Sequence, residues 1–296
     1  MYRTIVVGCD GSDHGLAAAR FAAWLAGRVD ARLIVAAAYA HTAHVRTDVG
    51  AEEGEERADA EAAAHACVAA VGGVPLVASG NSLAAALHDV ARAEDAALLV
   101  VGTSERRRIA GTQPGSVTEH VLRHSPCPVA VVPPSKADGG VRRLGVAMDD
   151  EPPARAALTA ARSLAERLCP ELEEIVLVHA VPPDSVFLRP GIEVPVATHA
   201  KIPPWLRGLA DSLEAPVPVR IVADAGDAGA ILTDHAHDLD LLVMGSRDLS
   251  ALRRLVLGGV STHVVRNAPC PVLVELGEAA AGEADDEAAV SRQTEA

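Results

Sequence analysis

Two stretches of this chain carry residue types suited to holding an anion. Val101-Gly102 closes an apolar run, and Gly115-Ser116-Val117-Thr118 opens a segment of helical spacing. At a helix start the first backbone N–H groups lack intrahelical partners and the dipole is positive, so phosphate is the ligand such a place suits. Gly115 removes a side chain that would hinder close approach, and the Ser116 and Thr118 hydroxyls would add donors. A Gly-Ser helix start is equally a common structural cap. Asp10 directly follows another apolar run, where a carboxylate would orient a ligand or cap a helix.

The same residues are written twice. GSVTEHVLRHSPCPV at 115–129 returns 143 residues later as GGVSTHVVRNAPCPV at 258–272, and the same offset joins Gly102 to Gly245 and Pro126 to Pro269. The chain is therefore a tandem duplication. Its second candidate set is Asp149, Gly245, Gly258, Gly259 and Ser261.

Other chemistry lacks its anchor residues. The sequence has no GxSxG elbow, HExxH, Walker GxxxxGK[ST] or GxGxxG, and no general base stands beside a nucleophile. His41 and His44 are a thin start for a metal site, and His235 and His237, two apart on a helix, do not face one point. His120 and His263 recur on the side of the last helix read as exposed. Cys127 and Cys270 recur between prolines as core thiols. The five cysteines show no CxxC and no even framework, which suits a reducing cytoplasm better than a disulfide scaffold.

The elements that must position these residues follow from periodicity. Short Val/Leu runs at Thr4–Cys9, Leu33–Ala38, Pro75–Ala78, Ala97–Val101 and Val129–Val132 alternate with helical stretches at Leu16–Gly27, Ala51–Val71, Leu83–Ala93 and Gly115–His124. Such alternation predicts a parallel sheet. The second half repeats it with Leu144–Met148, Ala154–Leu168, Ile175–Ala180, Val217–Val222, Ala228–His237, Leu241–Met244, Gly258–Arg266 and Val272–Glu275. Six prolines between Val181 and Asp211 leave room there only for a short helix around Trp205–Leu213. The expected division is 1–135, a linker at 136–141, 142–276, and a disordered acidic tail at 277–296.

With 49% hydrophobic residues but 2% aromatics, the two cores must be built from Ala, Val and Leu, helped by Phe21, Trp24, Phe187 and Trp205. A net charge of −14 with dispersed arginines argues against nucleic acid as a partner. No apolar run approaches the roughly 18 residues of a membrane span, and the start of the chain has no signal-peptide pattern. The expectation is a soluble, cytoplasmic protein.

Two halves that each run strand, Asp, helix, then VVG or VMG, a loop, G-[S/G]-V-[T/S]-x-H-V-x-R and PCPV resemble the universal stress protein family over nearly all of residues 1–276. The resemblance implies two tandem adenine-nucleotide alpha hydrolase-like (Rossmann-like) α/β domains, each a five-stranded parallel sheet of order 3-2-1-4-5 with helices on both faces. In nucleotide-binding members G-x2-G-x9-G-[S/T] holds the ATP phosphates, with Mg²⁺, and an Asp after the first strand faces the adenosine. On this chain those places are Asp10, Val101, Gly102, Gly115, Ser116, Val117 and Thr118, and Asp149, Gly245, Gly258, Val260 and Ser261 in the second half.

Both halves depart at the second motif glycine, replaced by Glu105 and Asp248. Like charges about 4 Å apart repel by roughly 1 kcal/mol in water and more where solvent is excluded, so Arg106–Arg108 and Arg247 would have to compensate. Gly259 for a hydroxyl residue, and Asp150-Glu151 for Gly11-Ser12, further weaken the second site. The expected function is stress-response binding of ATP by the first half without turnover. A scaffold acting through protein partners and a slow ATPase are the alternatives. The family also implies an intrachain pseudo-dimer through the fifth strands, with further homo-oligomerisation open.

Overall fold

The computed structural model describes residues 2–40, 49–103, 117–134, 140–181, 198–246 and 258–276. The chain forms two compact units, Met1–Gly139 and Gly140–Ala296.

In the first unit the Val/Ile/Leu runs become β1 (Thr4–Gly8), β2 (Arg32–Ala40), β3 (Val74–Gly80), β4 (Leu98–Gly102) and β5 (Val129–Val132). All pair in parallel, in the order β3-β2-β1-β4-β5. β1 is central, with Val6 opposite Ile34 on one side and Leu99 on the other. Its residues Ile5, Val6 and Val7 are fully buried, as a strand covered on both faces requires. The chain leaves β1 toward β2 and returns to β4 on the opposite side, so the β1/β4 border is the switch point, the place where open α/β sheets generally hold their ligands.

Helices α1 (Asp13–Val29) and α2 (Val49–Val71) pack on one face, α3 (Leu83–Ala93) and α4 (Val117–His124) on the other. Ala17, Ala18, Ala22 and Ala26 bury one stripe of α1 together with Phe21, Leu25 and Val29. Small side chains let the helix lie close to the sheet, which is how a core with so few aromatics closes. α1 ends where Asp30 turns left-handed at φ 56°, a conformation Asp tolerates better than most residues.

The second unit repeats this with β6 (Arg143–Met148), α5 (Pro152–Leu168), β7 (Glu174–Val181), β8 (Thr198–His199), α6 (Pro204–Ser212), β9 (Val219–Ala225), α7 (Ala228–His235), β10 (Leu241–Gly245), α8 (Gly259–Asn267) and β11 (Val272–Glu275). Its order is β11-β10-β6-β7-β9-β8. The proline-rich stretch ends in the expected short helix, α6. It also supplies β8, an unforeseen two-residue strand that runs antiparallel on β9. Residues 182–197, Phe187 among them, and the acidic tail lie outside the described residues.

Cys127 and Cys270 are buried and take part in no disulfide, in keeping with the core thiols expected between the prolines. Cys9 and Cys67 correct the cysteine reading, because they form a disulfide with Cα atoms 7.0 Å apart. Packing α2 beside the end of β1 joins residues 58 apart in sequence, a proximity no local spacing discloses. No described helix is long and apolar enough to cross a membrane.

Candidate functional site

At the β1/β4 switch point of the first unit, Asp10 stands exposed just past β1. Its Oδ1 accepts hydrogen bonds from the Ser12 amide at 3.1 Å and the Ser12 hydroxyl at 2.5 Å. Ser12 Oγ in turn accepts from the Gly15 amide at 3.1 Å and is the N-cap of α1. Asp10 is thus not the helix cap that its position suggested; it orients the residue that is. The turn is fixed further by Gly11, whose φ of 78° excludes most side chains. Gly15 makes room for the carboxylate, since a Cβ there would stand 2.5 Å from Asp10 Oδ1.

Gly102 gathers three elements. A Cβ on it would lie 2.5 Å from the His14 carbonyl oxygen, so the first turn of α1 passes directly over the end of β4. The Gly102 carbonyl accepts the Thr118 hydroxyl at 3.1 Å, which ties α4 to the same strand end. Thr103, the next residue, holds His14 through a 3.0 Å contact between its Oγ1 and the imidazole Nδ1. Thr118 was expected to donate to a ligand, but it is buried and its proton is committed to Gly102. Val101 is buried in β4 and Val117 is half-buried at the start of α4. Gly115, Ser116, Glu105 and Arg106–Arg108 lie outside the described residues.

His14 and Thr103 escaped the sequence reading. The signal that could have found them is the comparison of the two halves, because the matching places hold Pro153 and Ser246.

Farther along, α4 is anchored by His88 of α3, whose Nε2–H donates to the Val121 carbonyl at 2.9 Å. That oxygen belongs to the last turn of α4, where carbonyls lack intrahelical partners. A carbonyl can only accept, so Nε2 carries the proton. Burial lowers the pKa of His88, with Arg92 and His124 adding to the shift and the Val121 bond opposing it.

The second unit keeps the frame but not the detail. Asp149 Oδ1 accepts from the Glu151 amide at 3.2 Å, and Glu151, the N-cap of α5, makes no side-chain cap bond. A Cβ on Gly245 would collide with the Pro153 carbonyl, repeating the close pass seen at Gly102. Gly258 caps α8, and no described atom lies within 4 Å of a Cβ built on Gly258 or Gly259. Val260 is 38% exposed and Ser261 is buried. Arg247 and Asp248 lie outside the described residues. Away from the switch point, buried Asp224 on β9 pairs with His235 on α7 at 2.7 Å.

The model of the Universal stress protein family matches the chain twice, over residues 1–133 and 140–274. A universal stress protein of Mycobacterium tuberculosis is 28% identical over 190 residues, covering 61% of this chain and 62% of that protein, so the match spans less than two thirds of the relative's length. A second one from the same organism is 37% identical over 144 residues, covering 44% of this chain and 96% of its own. Among solved structures, a universal stress protein from Archaeoglobus fulgidus shares the fold with a TM-score of 0.69 at 19% identity, over 92% of this chain and 98% of its own.

Proposed function

Because the chain belongs to the universal stress protein family, we propose that its first unit binds an adenine nucleotide, ATP, at the β1/β4 switch point and holds it without turnover. The observation that carries this reading is the convergence at Gly102: its carbonyl takes Thr118 from the start of α4, its α-carbon faces the start of α1, and Asp10 stands at the same strand ends. Two helix starts and a preset acidic loop then border one crevice. The residues leading into α4, Gly115 to Val117, would take the phosphates, and Asp10 would face the adenosine.

The donor set suits binding more than hydrolysis. Asp10 Oδ1 is engaged by both groups of Ser12, which favours a fixed acceptor for a hydroxyl or amine over a base that activates water. Among the described residues no group of three His, Cys, Asp or Glu side chains could hold a metal ion. Mg²⁺ would therefore enter as the counter-ion of the phosphates.

Calorimetric titration of ATP, with and without Mg²⁺, into the protein and into a Gly115→Val/Ser116→Ala variant tests the reading. Heat that vanishes in the variant is the expected result. Silence from the parent protein up to millimolar ATP would remove nucleotide binding and leave a scaffold for protein partners. Phosphate release during the titration would make it an ATPase.

A further inference from the structure

We propose that His14, steered by Thr103, is the side chain that grips the anionic part of the ligand in the first unit, by donating its Nε2–H to a phosphate oxygen. The inference rests on the nucleotide reading above and names a residue that the family motif does not include.

Four observations converge on it. His14 sits in the first turn of α1, whose backbone lies against Gly102 at the end of β4. Its Nδ1 is 3.0 Å from Thr103 Oγ1. When the Thr103 hydroxyl donates to Nδ1, the proton of the neutral ring resides on Nε2, leaving the outer nitrogen a donor. Both side chains are half-buried, so the ring is held yet remains open to a ligand. The start of α4 is bonded to the preceding residue, Gly102, so the imidazole and the first turn of α4 approach the same strand end.

The second unit supplies the contrast. Pro153 replaces His14 and Ser246 replaces Thr103, and a proline can donate nothing. The frame that brings α5 over Gly245 is kept there. The pair is therefore not needed for the close pass of helix over strand, and its presence in one unit alone calls for a different use.

Two substitutions separate a grip on ligand from a tie between α1 and β4. His14→Asn keeps a polar atom near the place of Nδ1, within reach of Thr103, but has nothing at the place of Nε2. His14→Gln puts an amide nitrogen near Nε2. Calorimetric titrations with Mg-ATP, tripolyphosphate and adenosine would be run on the parent and both variants, alongside urea unfolding and the imidazole ¹⁵N signals of His14. Loss of one charge-assisted hydrogen bond predicts about tenfold weaker Mg-ATP binding in His14→Asn, with at least partial recovery in His14→Gln. Adenosine binding should be equal in all three, and the His14 signals should move on adding ATP.

Equal Mg-ATP affinity in the parent and His14→Asn, with unmoved ring signals, would overturn the proposal while leaving the nucleotide reading intact. A parent that ignores ATP but whose His14 signals move with tripolyphosphate would overturn the nucleotide reading and keep this one. Silence toward both ligands would overturn both. Variants that lose stability but no affinity would make the pair a structural tie, which also overturns the proposal.

Discussion

Gly102 and Gly245 look like ligand glycines, yet each is required by a helix that crosses the strand end. A methyl group on Gly102 would stand 2.5 Å from the His14 carbonyl, so Gly102→Ala must push α1 outward. Overpacking of this kind costs about 1–3 kcal/mol, and urea unfolding should show that loss even without ligand. His88 offers a sharper test because its effect depends on pH. Its pKa is lowered in the folded state, chiefly by burial, so the unfolded chain binds more protons around and below the ordinary histidine value of about 6.5. The stability His88 contributes is present above that value and is lost as pH falls toward its folded pKa. His88→Gln, which retains a donor for Val121, should flatten that part of the pH–stability curve, whereas His88→Ala should cost about 1–3 kcal/mol at pH 7.5 by leaving the carbonyl without it. At the matching sixth position of α7 stands Thr233, whose buried Oγ1 has no hydrogen-bond partner among the described residues. Thr233→Val should raise stability by about 1 kcal/mol, since it removes a desolvated hydroxyl and keeps its shape.

The helices differ most at their starts. α1 begins on a complete relay from Asp10 through Ser12 to Gly15, while α5 begins on Glu151 without a side-chain bond. Ser12→Ala should cost about 0.5–2 kcal/mol, and Glu151→Ser should return part of such an amount to the second unit, both read by unfolding of the full chain. These starts also mark where sequence reasoning ended. The strands were legible because Ile5–Val7 and Leu98–Val101 are continuous apolar runs, and their alternation with Ala-rich helices dictates parallel pairing. The start of α1 at Asp13 was missed because its signal is polar, a cap and not a hydrophobic period. β8 was missed because two residues carry no period at all. His14 with Thr103 and Cys9 with Cys67 were missed because each pair is joined only by tertiary packing, across 89 and 58 residues. Thr118 was recognised, but its bond to the Gly102 carbonyl was not foreseen, because a hydroxyl at a helix start can be spent on the protein as readily as on a ligand.

At the scale of the whole chain, duplication has preserved geometry and let chemistry diverge. Both units keep an Asp after the first strand, a glycine under the first helix, and matching amide bonds at the fourth strand, from Thr103 to Val132 and from Ser246 to Glu275. Only the first keeps the Ser12 relay and the His14–Thr103 pair. If binding needed no more than the shared frame, two nucleotides would bind per chain with similar affinity. If it needs the side chains that distinguish the first unit, a titration with Mg-ATP should saturate near one equivalent. Asp10→Ala should then abolish most of the heat, while Asp149→Ala should leave both the stoichiometry and the affinity unchanged. Two equivalents, with each substitution removing one, would mean that the backbone frame alone makes the site and that the side-chain differences are neutral.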